Sequence, residues 1–235
     1  MYPVAILAGG IATRMRPHTD SLPKALLPVA GEPFIAHQLA RLREQQITNV
    51  VLCVGHLGEQ IREFVGDGNR WQIRVSYSFD RPTLLGTGGA LRRALPLLGD
   101  AFFVLYGDSY LRCDFAAVAQ TFATSNRAGL MTVYRNDNAL EPSNVHFEHG
   151  EVVKYDKQSP SGFMRHIDYG LSVLSAQVLA SYPEGERFDL SRVHQELITA
   201  RQLAGFEVCE RFFEIGSPAG LRETELLLTR SKASP

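Results

Sequence analysis

Short, strongly apolar runs alternate with amphipathic stretches along the first 135 residues. Val4 to Ala8 is wholly apolar and ends in Gly9-Gly10; Asn49 to Val54 and Ala101 to Tyr106 are similar, and the last ends in Gly107-Asp108. Runs of four to eight apolar residues bounded by turn residues read as strands buried on both faces. Between them, Pro33 opens a helix with Phe34, Leu39 and Leu42 on one face, and Leu57 to Val65 is a helix that Gly66 stops. Ile73 to Phe79 alternates as a strand, Gly86 opens a helix through Leu98, and a helix over Phe115 to Phe122 precedes a strand over Leu130 to Tyr134. Buried strands joined by helices predict an α/β fold: a Rossmann-like, mostly parallel, twisted sheet flanked by helices.

After Arg135 the pattern changes. Val145 to Glu148 and Val152 to Tyr155 flank His149-Gly150 and predict a hairpin. A strand over Ile167 to Leu174, a helix after Ser175, a helix over Ser191 to Ala200, a strand over Leu203 to Val208 and a closing helix from Pro218 to Leu228 follow. Residues from Thr229 to Pro235 are expected to fray. The chain reads as one domain, 1–235, with residues 1–135 as a first portion and 136–235 as a smaller, hairpin-containing second portion.

With 235 residues the chain is long enough to bury about 70% of its unfolded surface. Its net charge of −1 argues against a nucleic-acid partner. No apolar run approaches the ~20 residues of a membrane span, so no membrane partner is expected. Cys53, Cys113 and Cys209 are odd in number and widely spaced, which fits a reducing, cytoplasmic setting better than a disulfide framework. Cys53 and Cys209 sit in apolar runs and read as core residues. A homodimer is the base-rate assembly.

The charge that matters is local. Residues 9–28 lack helical periodicity and carry Arg14, Arg16 and Lys24 against Asp20, a balance of +2. Gly9 and Gly10, at the mouth of a predicted strand, let backbone N–H groups approach an anion, and Thr13 adds a hydroxyl. Neither a Gly-Lys-Ser/Thr sequence nor GxGxxG spacing is present. A bare glycine loop is more often a surface turn, but these cations favour a phosphate cradle.

Leu7-Ala-Gly-Gly-Ile-Ala-Thr-Arg-Met-Arg-Pro17 with Pro23-Lys24 resembles the GGxGTR…PK signature of sugar-1-phosphate nucleotidylyltransferases. The resemblance continues through Leu85-Gly-Thr-Gly-Gly-Ala90, Phe103 to Asp108, Val153 to Lys157, Ile167 to Gly170 and Phe213 to Pro218. It implies a GT-A-like nucleotidyltransferase fold. It also implies an Mg²⁺-dependent reaction in which a sugar-1-phosphate attacks the α-phosphate of a nucleoside triphosphate and pyrophosphate leaves, as in nucleotide-sugar synthesis for cell-surface polysaccharide. The guanylyltransferases of heptose- and mannose-1-phosphate are most similar in look, with hexose- or muramate-1-phosphate uridylyltransferases as the alternative. A non-catalytic regulatory relative is a further class.

Carried onto this chain, the resemblance makes Leu7, Gly9, Gly10, Thr13, Arg14, Lys24, Gly86, Thr87 and Gly88 nucleotide contacts. Arg14, Lys24 and Lys157 become the catalytic cations, Gly107, Asp156, Asp168 and Gly170 the sugar contacts, and Asp108 and Glu214 the metal ligands. Three residues depart from the pattern: Ala12 replaces a third glycine, Glu214 stands where aspartate is usual, and Asp156 where glutamate is usual. A glycosyltransferase on a similar sheet would commonly carry Asp-x-Asp, and Asp108-Ser109-Tyr110 lacks the second acid. No hexapeptide β-helix follows residue 217, which argues against a fused acetyltransferase.

Overall fold

The computed structural model describes residues 1–233. Its strands are β1 (Val4–Leu7), β2 (Pro28–Val29), β3 (Glu32–Pro33), β4 (Asn49–Val54), β5 (Arg74–Phe79), β6 (Ala101–Tyr106) and β7 (Ser109–Tyr110), followed by β8 (Gly129–Arg135), β9 (Val145–Glu148), β10 (Glu151–Tyr155), β11 (His166–Ser175), β12 (Leu203–Val208) and β13 (Phe213–Glu214). The helices are α1 (Phe34–Glu44), α2 (Gly58–Val65), α3 (Gly86–Ala94), α4 (Phe115–Ser125), α5 (Ala176–Ala180), α6 (Leu190–Thr199) and α7 (Pro218–Ala233). α7 stays helical through Thr229 and Arg230, beyond the expected onset of fraying; Ser234 and Pro235 lie outside the described residues.

Nine strands form one sheet in the order β5-β4-β1-β6-β11-β8-β12-β10-β9. β5, β4, β1 and β6 run parallel, as expected. β11 lies antiparallel between β6 and β8, and β10 is antiparallel to both β9 and β12, so the sheet is mixed rather than mostly parallel. The cause is local. A parallel return needs a crossover, and between β8 and β11 the chain makes only the β9–β10 hairpin. His149 and Gly150 both adopt positive φ (52° and 81°), the geometry of a two-residue hairpin turn.

Alternate residues of the central strands face two cores. Val4, Ile6, Leu52, Phe103 and Leu105 pack with Ile35 and Leu39 of α1, Ile61 of α2 and Val118 of α4. Ala5, Val51, Phe102 and Val104 pack with Leu91 of α3 and Val193 of α6. Burial on both faces explains why these strands read as unbroken apolar runs. Cys53 and Cys113 are buried, whereas Cys209 follows the last residue of β12 and is exposed, contrary to expectation. Among the described residues no helix is long and apolar enough to cross a membrane.

The loop after β1 folds into 3₁₀ turns at Thr13–Met15 and Lys24–Leu26. Ala12 has φ 54° and ψ 43°, the left-handed conformation that a third glycine would adopt freely. It is held there because its carbonyl accepts from Thr19 Oγ1 and Met15 N–H. A left-handed alanine costs about 1–2 kcal/mol, partly offset by the extra unfolded-state freedom of glycine. Ala12→Gly is therefore expected to raise the melting temperature by about 2 °C; a calorimetric scan showing a decrease would mean the loop does not bear this strain.

Candidate active site

The carboxyl ends of the parallel strands open into two adjoining cavities. The first, of about 490 Å³, is lined by Leu7, Gly9, Gly10, Thr13, Lys24, Gly86, Thr87 and Gly107, among others. The second, of about 740 Å³, is lined by Arg14, Asn144, Lys157, Asp168, Gly170 and Glu214, among others. Tyr106 and Asp108 border both, so the end of β6 forms their shared wall. Gly107 makes this junction possible: its N–H donates to Leu7 C=O at 3.1 Å, and a Cβ there would collide with that carbonyl.

Asp108 and Glu214 are joined by a short two-stranded ladder. β13 pairs with β7, setting Glu214 opposite Ser109, and Ile215 N–H donates to Asp108 C=O at 2.9 Å. The point where a Cβ of Gly216 would stand lies 2.6 Å from Glu214 Oε2, 3.1 Å from Asp108 Oδ2 and 3.6 Å from Arg14 Nη2. Two acids and a guanidinium thus surround a gap that only glycine leaves open. Lys24 Nζ donates to Asp108 Oδ2 at 2.7 Å. Glu214 Oε1 accepts from Ser217 Oγ at 2.7 Å and its Oε2 from Gly216 N–H, so the longer side chain is folded back and fixed.

In the second cavity Asp168 is buried, 8% exposed, and organises the wall. Tyr155 Oη donates to its Oδ2 at 2.9 Å, Tyr106 Oη donates to the same oxygen at 3.2 Å, and Gly170 N–H donates to Oδ1 at 3.0 Å. The positive φ of Gly170 (95°) supports that last turn. Lys157 Nζ stands 3.4 Å from Asp168 Oδ2 and donates to Tyr106 Oη at 3.3 Å. Burial opposes charge on Lys157, but Tyr106 and then Asp168 hold its ammonium above the usual lysine range. Burial likewise opposes charge on Asp168, and Lys157 chiefly keeps its carboxyl below the usual range.

Two expected contacts have other work. Asp156 Oδ1 accepts from Gln158 and Ser159 N–H, both at 2.9 Å, and so caps the turn that carries Lys157 instead of lining either cavity. Gly88 packs against the Phe188 ring, where any Cβ would collide, while Gly86, Thr87 and Ala90 take the cavity-facing positions of α3. Thr87 Oγ1 donates to Asp189 Oδ2 at 2.9 Å and accepts from Leu190 N–H at 2.8 Å, tying α3 to the start of α6. Tyr106, Tyr155, Asn144 and Gly216 escaped the reading of the sequence. Tyr106, Tyr155 and Gly216 lie within segments that carry the resemblance, and Tyr106 also ends a strand before Gly-Asp, whereas Asn144 carried no signal.

Nothing in the donor set forbids a small hard cation. Two carboxylates from different segments flank a gap, and Lys24 already places a positive charge on one of them. Such ions take one or two protein carboxylates and complete their shell with phosphate and water oxygens. Among the described residues there is no cluster of three or more His, Cys, Asp or Glu to form an all-protein cage.

Residues 4–153 match the nucleotidyl transferase family. The chain is 44% identical over 117 residues to N-acetylmuramate alpha-1-phosphate uridylyltransferase of Neisseria meningitidis serogroup B, covering 49% of this chain and 51% of that protein. It is 30% identical over 190 residues to mannose-1-phosphate guanylyltransferase of Mycobacterium tuberculosis, covering 80% and 52%. The chain thus spans about half the length of these relatives. The crystal structure of HddC from Yersinia pseudotuberculosis complexed with GMP-PN superposes with a TM-score of 0.80 at 22% identity, covering 97% of this chain and 100% of that one, and shares the fold.

Proposed function

The chain belongs to the nucleotidyl transferase family, and from that premise we propose that it transfers a nucleoside monophosphate from a triphosphate to a sugar-1-phosphate, releasing pyrophosphate. The observation that carries this reading is the meeting of Arg14, Asp108 and Glu214 around the Gly216 gap, with Lys24 on Asp108, at the junction of two cavities. One cavity, under the glycine loop, takes the triphosphate; the other, lined by Lys157 and Asp168, takes the sugar phosphate.

A sugar phosphate has its second pKa near 6 and is already largely ionised at neutral pH. The protein therefore needs no general base. Its task is to align two polyanions and neutralise the charge that builds between them. Arg14 and Lys24 grip the triphosphate, and Lys157, held protonated by its neighbours, draws in the attacking phosphate. Asp168 fixes that lysine and faces the sugar cavity. Asp108 and Glu214 would hold Mg²⁺, which supplies Lewis-acid neutralisation of phosphate oxygens.

Guanylyl transfer to a mannose- or heptose-1-phosphate is the reading we favour, supported by the 30% identity to a guanylyltransferase over most of this chain. Uridylyl transfer is the second reading, supported by the 44% identity over about half of the chain. Four triphosphates incubated with a panel of sugar-1-phosphates and Mg²⁺, with products read by mass, should yield one dominant nucleoside-diphosphate sugar and stoichiometric pyrophosphate. No product from any pair would leave a non-catalytic relative.

A further inference from the structure

Helix α1 carries a polar residue where its core-facing stripe calls for an apolar one. Gln38 stands one turn from Phe34 and one turn from Leu42, both buried, and is itself only 2% exposed. An amide in such a place is costly unless it is hydrogen-bonded. Its Nε2 donates to Ser109 C=O at 2.8 Å and to Tyr106 C=O at 3.2 Å, while its Oε1 has no hydrogen-bond partner among the described residues. The bonds of this buried side chain thus go to two carbonyls, one on each side of Gly107-Asp108. The amide has one workable orientation, because a turned-over oxygen would face two carbonyl oxygens, which can only accept.

Gln38 belongs to a row. Residues 38, 41 and 45 lie along one side of α1. Arg41 Nε donates to Leu111 C=O at 3.4 Å, and Gln45 Oε1 accepts from Phe115 N–H at 3.0 Å. The helix therefore splints the chain from the end of β6 to the start of α4. One end of the splint holds the start of a helix; the other holds the turn from which Asp108 faces both cavities. Gly107 N–H on Leu7 C=O and Ile215 N–H on Asp108 C=O tie that turn to β1 and to the segment after β13. Gln38 sets the distance across the turn, from Tyr106 to Ser109.

A shift of about 1 Å at a reacting centre can cost about 10²-fold in rate. Resting on the nucleotidylyl-transfer reading above, we propose that Gln38 is a positioning residue: its amide clamps the Tyr106–Ser109 turn and so holds the Asp108 carboxylate at the junction of the two cavities.

Gln38→Leu removes both bonds and keeps the stripe on α1 filled. With the triphosphate and sugar-1-phosphate that the native protein turns over, pyrophosphate release per folded molecule, checked by a thermal melt, should fall about 10–100-fold. The discriminating measurement is a double-mutant cycle with Asp108→Asn. A residue that acts through the carboxylate costs nothing further once the carboxylate is gone, whereas independent losses multiply. Unchanged turnover in a folded Gln38→Leu, or a multiplicative cycle, overturns the proposal.

Gln38→Glu supplies a second reading. Its ionised form sets an anionic oxygen against two carbonyls, and its protonated form regains a donor. Burial raises the pKa of such a carboxyl, so turnover relative to the native protein should recover as pH falls from mild base to mild acid; a flat ratio counts against the clamp. Should Gln38→Leu not fold, Gln38→Glu takes its place in the cycle, in mild acid. Failure of both to fold would leave Gln38 a purely structural residue and overturn the proposal. Native protein that releases no pyrophosphate from any pair would reject the transfer reading and this proposal with it, whereas native turnover with a multiplicative cycle rejects Gln38 alone.

Discussion

Replacing Asp108 by asparagine should slow pyrophosphate release about 10³-fold while leaving the fold intact, the scale expected when a charged group acting on the transition state is lost. Asp108 faces both cavities and stands with Glu214 and Arg14 around the Gly216 gap. It is also the partner of Lys24 at 2.7 Å, so the substitution disturbs a cation and an acid together. The structural cost is small because the local fold rests on the main chain: Asp108 C=O accepts from Ile215 N–H, and Gly107 N–H reaches Leu7 C=O. The Lys24–Asp108 pair is partly exposed, at 22% and 26%, and such pairs contribute little to stability. Stopped-assay kinetics at saturating Mg²⁺, paired with a thermal melt, separates the two effects. Unchanged turnover would remove Asp108 from the reaction.

Removing the Asp168 side chain should do the opposite, damaging the fold as much as the chemistry. Its carboxylate accepts from Tyr106 and Tyr155 and holds the Gly170 turn, all in a buried wall. In Asp168→Ala two phenols lose their shared acceptor and Lys157 loses its counter-charge. Breaking a buried charged network of this kind costs about 3–5 kcal/mol, or about 10 °C in melting temperature for a chain of this size. Lys157 is 44% exposed at its side chain, so water tempers its share. Asp168→Asn keeps an oxygen for Tyr155 and should recover more than half of the loss. The pH dependence has a definite sign. Because the folded carboxyl ionises below its usual range, the stabilising charge is fully present above the ordinary aspartate pKa and is lost as pH falls through the folded value. The gap in stability between the native protein and Asp168→Asn should therefore narrow in acid. Equal melting temperatures for native protein and Asp168→Ala at neutral pH would show that the wall does not depend on this carboxylate.

Several features of the site are legible in the sequence alone because they are local. A strand that ends in glycines and is followed by Thr13, Arg14 and Lys24 states both a close backbone approach and the charge that waits there. The departure from glycine at position 12 was visible in the sequence, but its left-handed backbone comes from the structure. Other candidate residues have a second employer in the structure. Asp156 was spent on its own turn, since aspartate readily accepts from N–H groups two and three residues on. Gly88 served helix packing, because neighbouring helix positions point to different faces and only one faces the cavity. Cys209 lay just past a strand end, where an apolar neighbourhood in sequence no longer implies burial.

Periodicity and turn chemistry were enough to write the α/β alternation, the β9–β10 hairpin and the cationic loop, since each depends on residues within a few positions of one another. Packing chose the rest. It set β11 antiparallel between β6 and β8, brought Glu214 beside Ser109, opened the Gly216 gap and laid Gln38 against the turn that carries Asp108. These depend on segments far apart along the chain, and their placement follows from how the elements bury their side chains against one another, which no short stretch of sequence records.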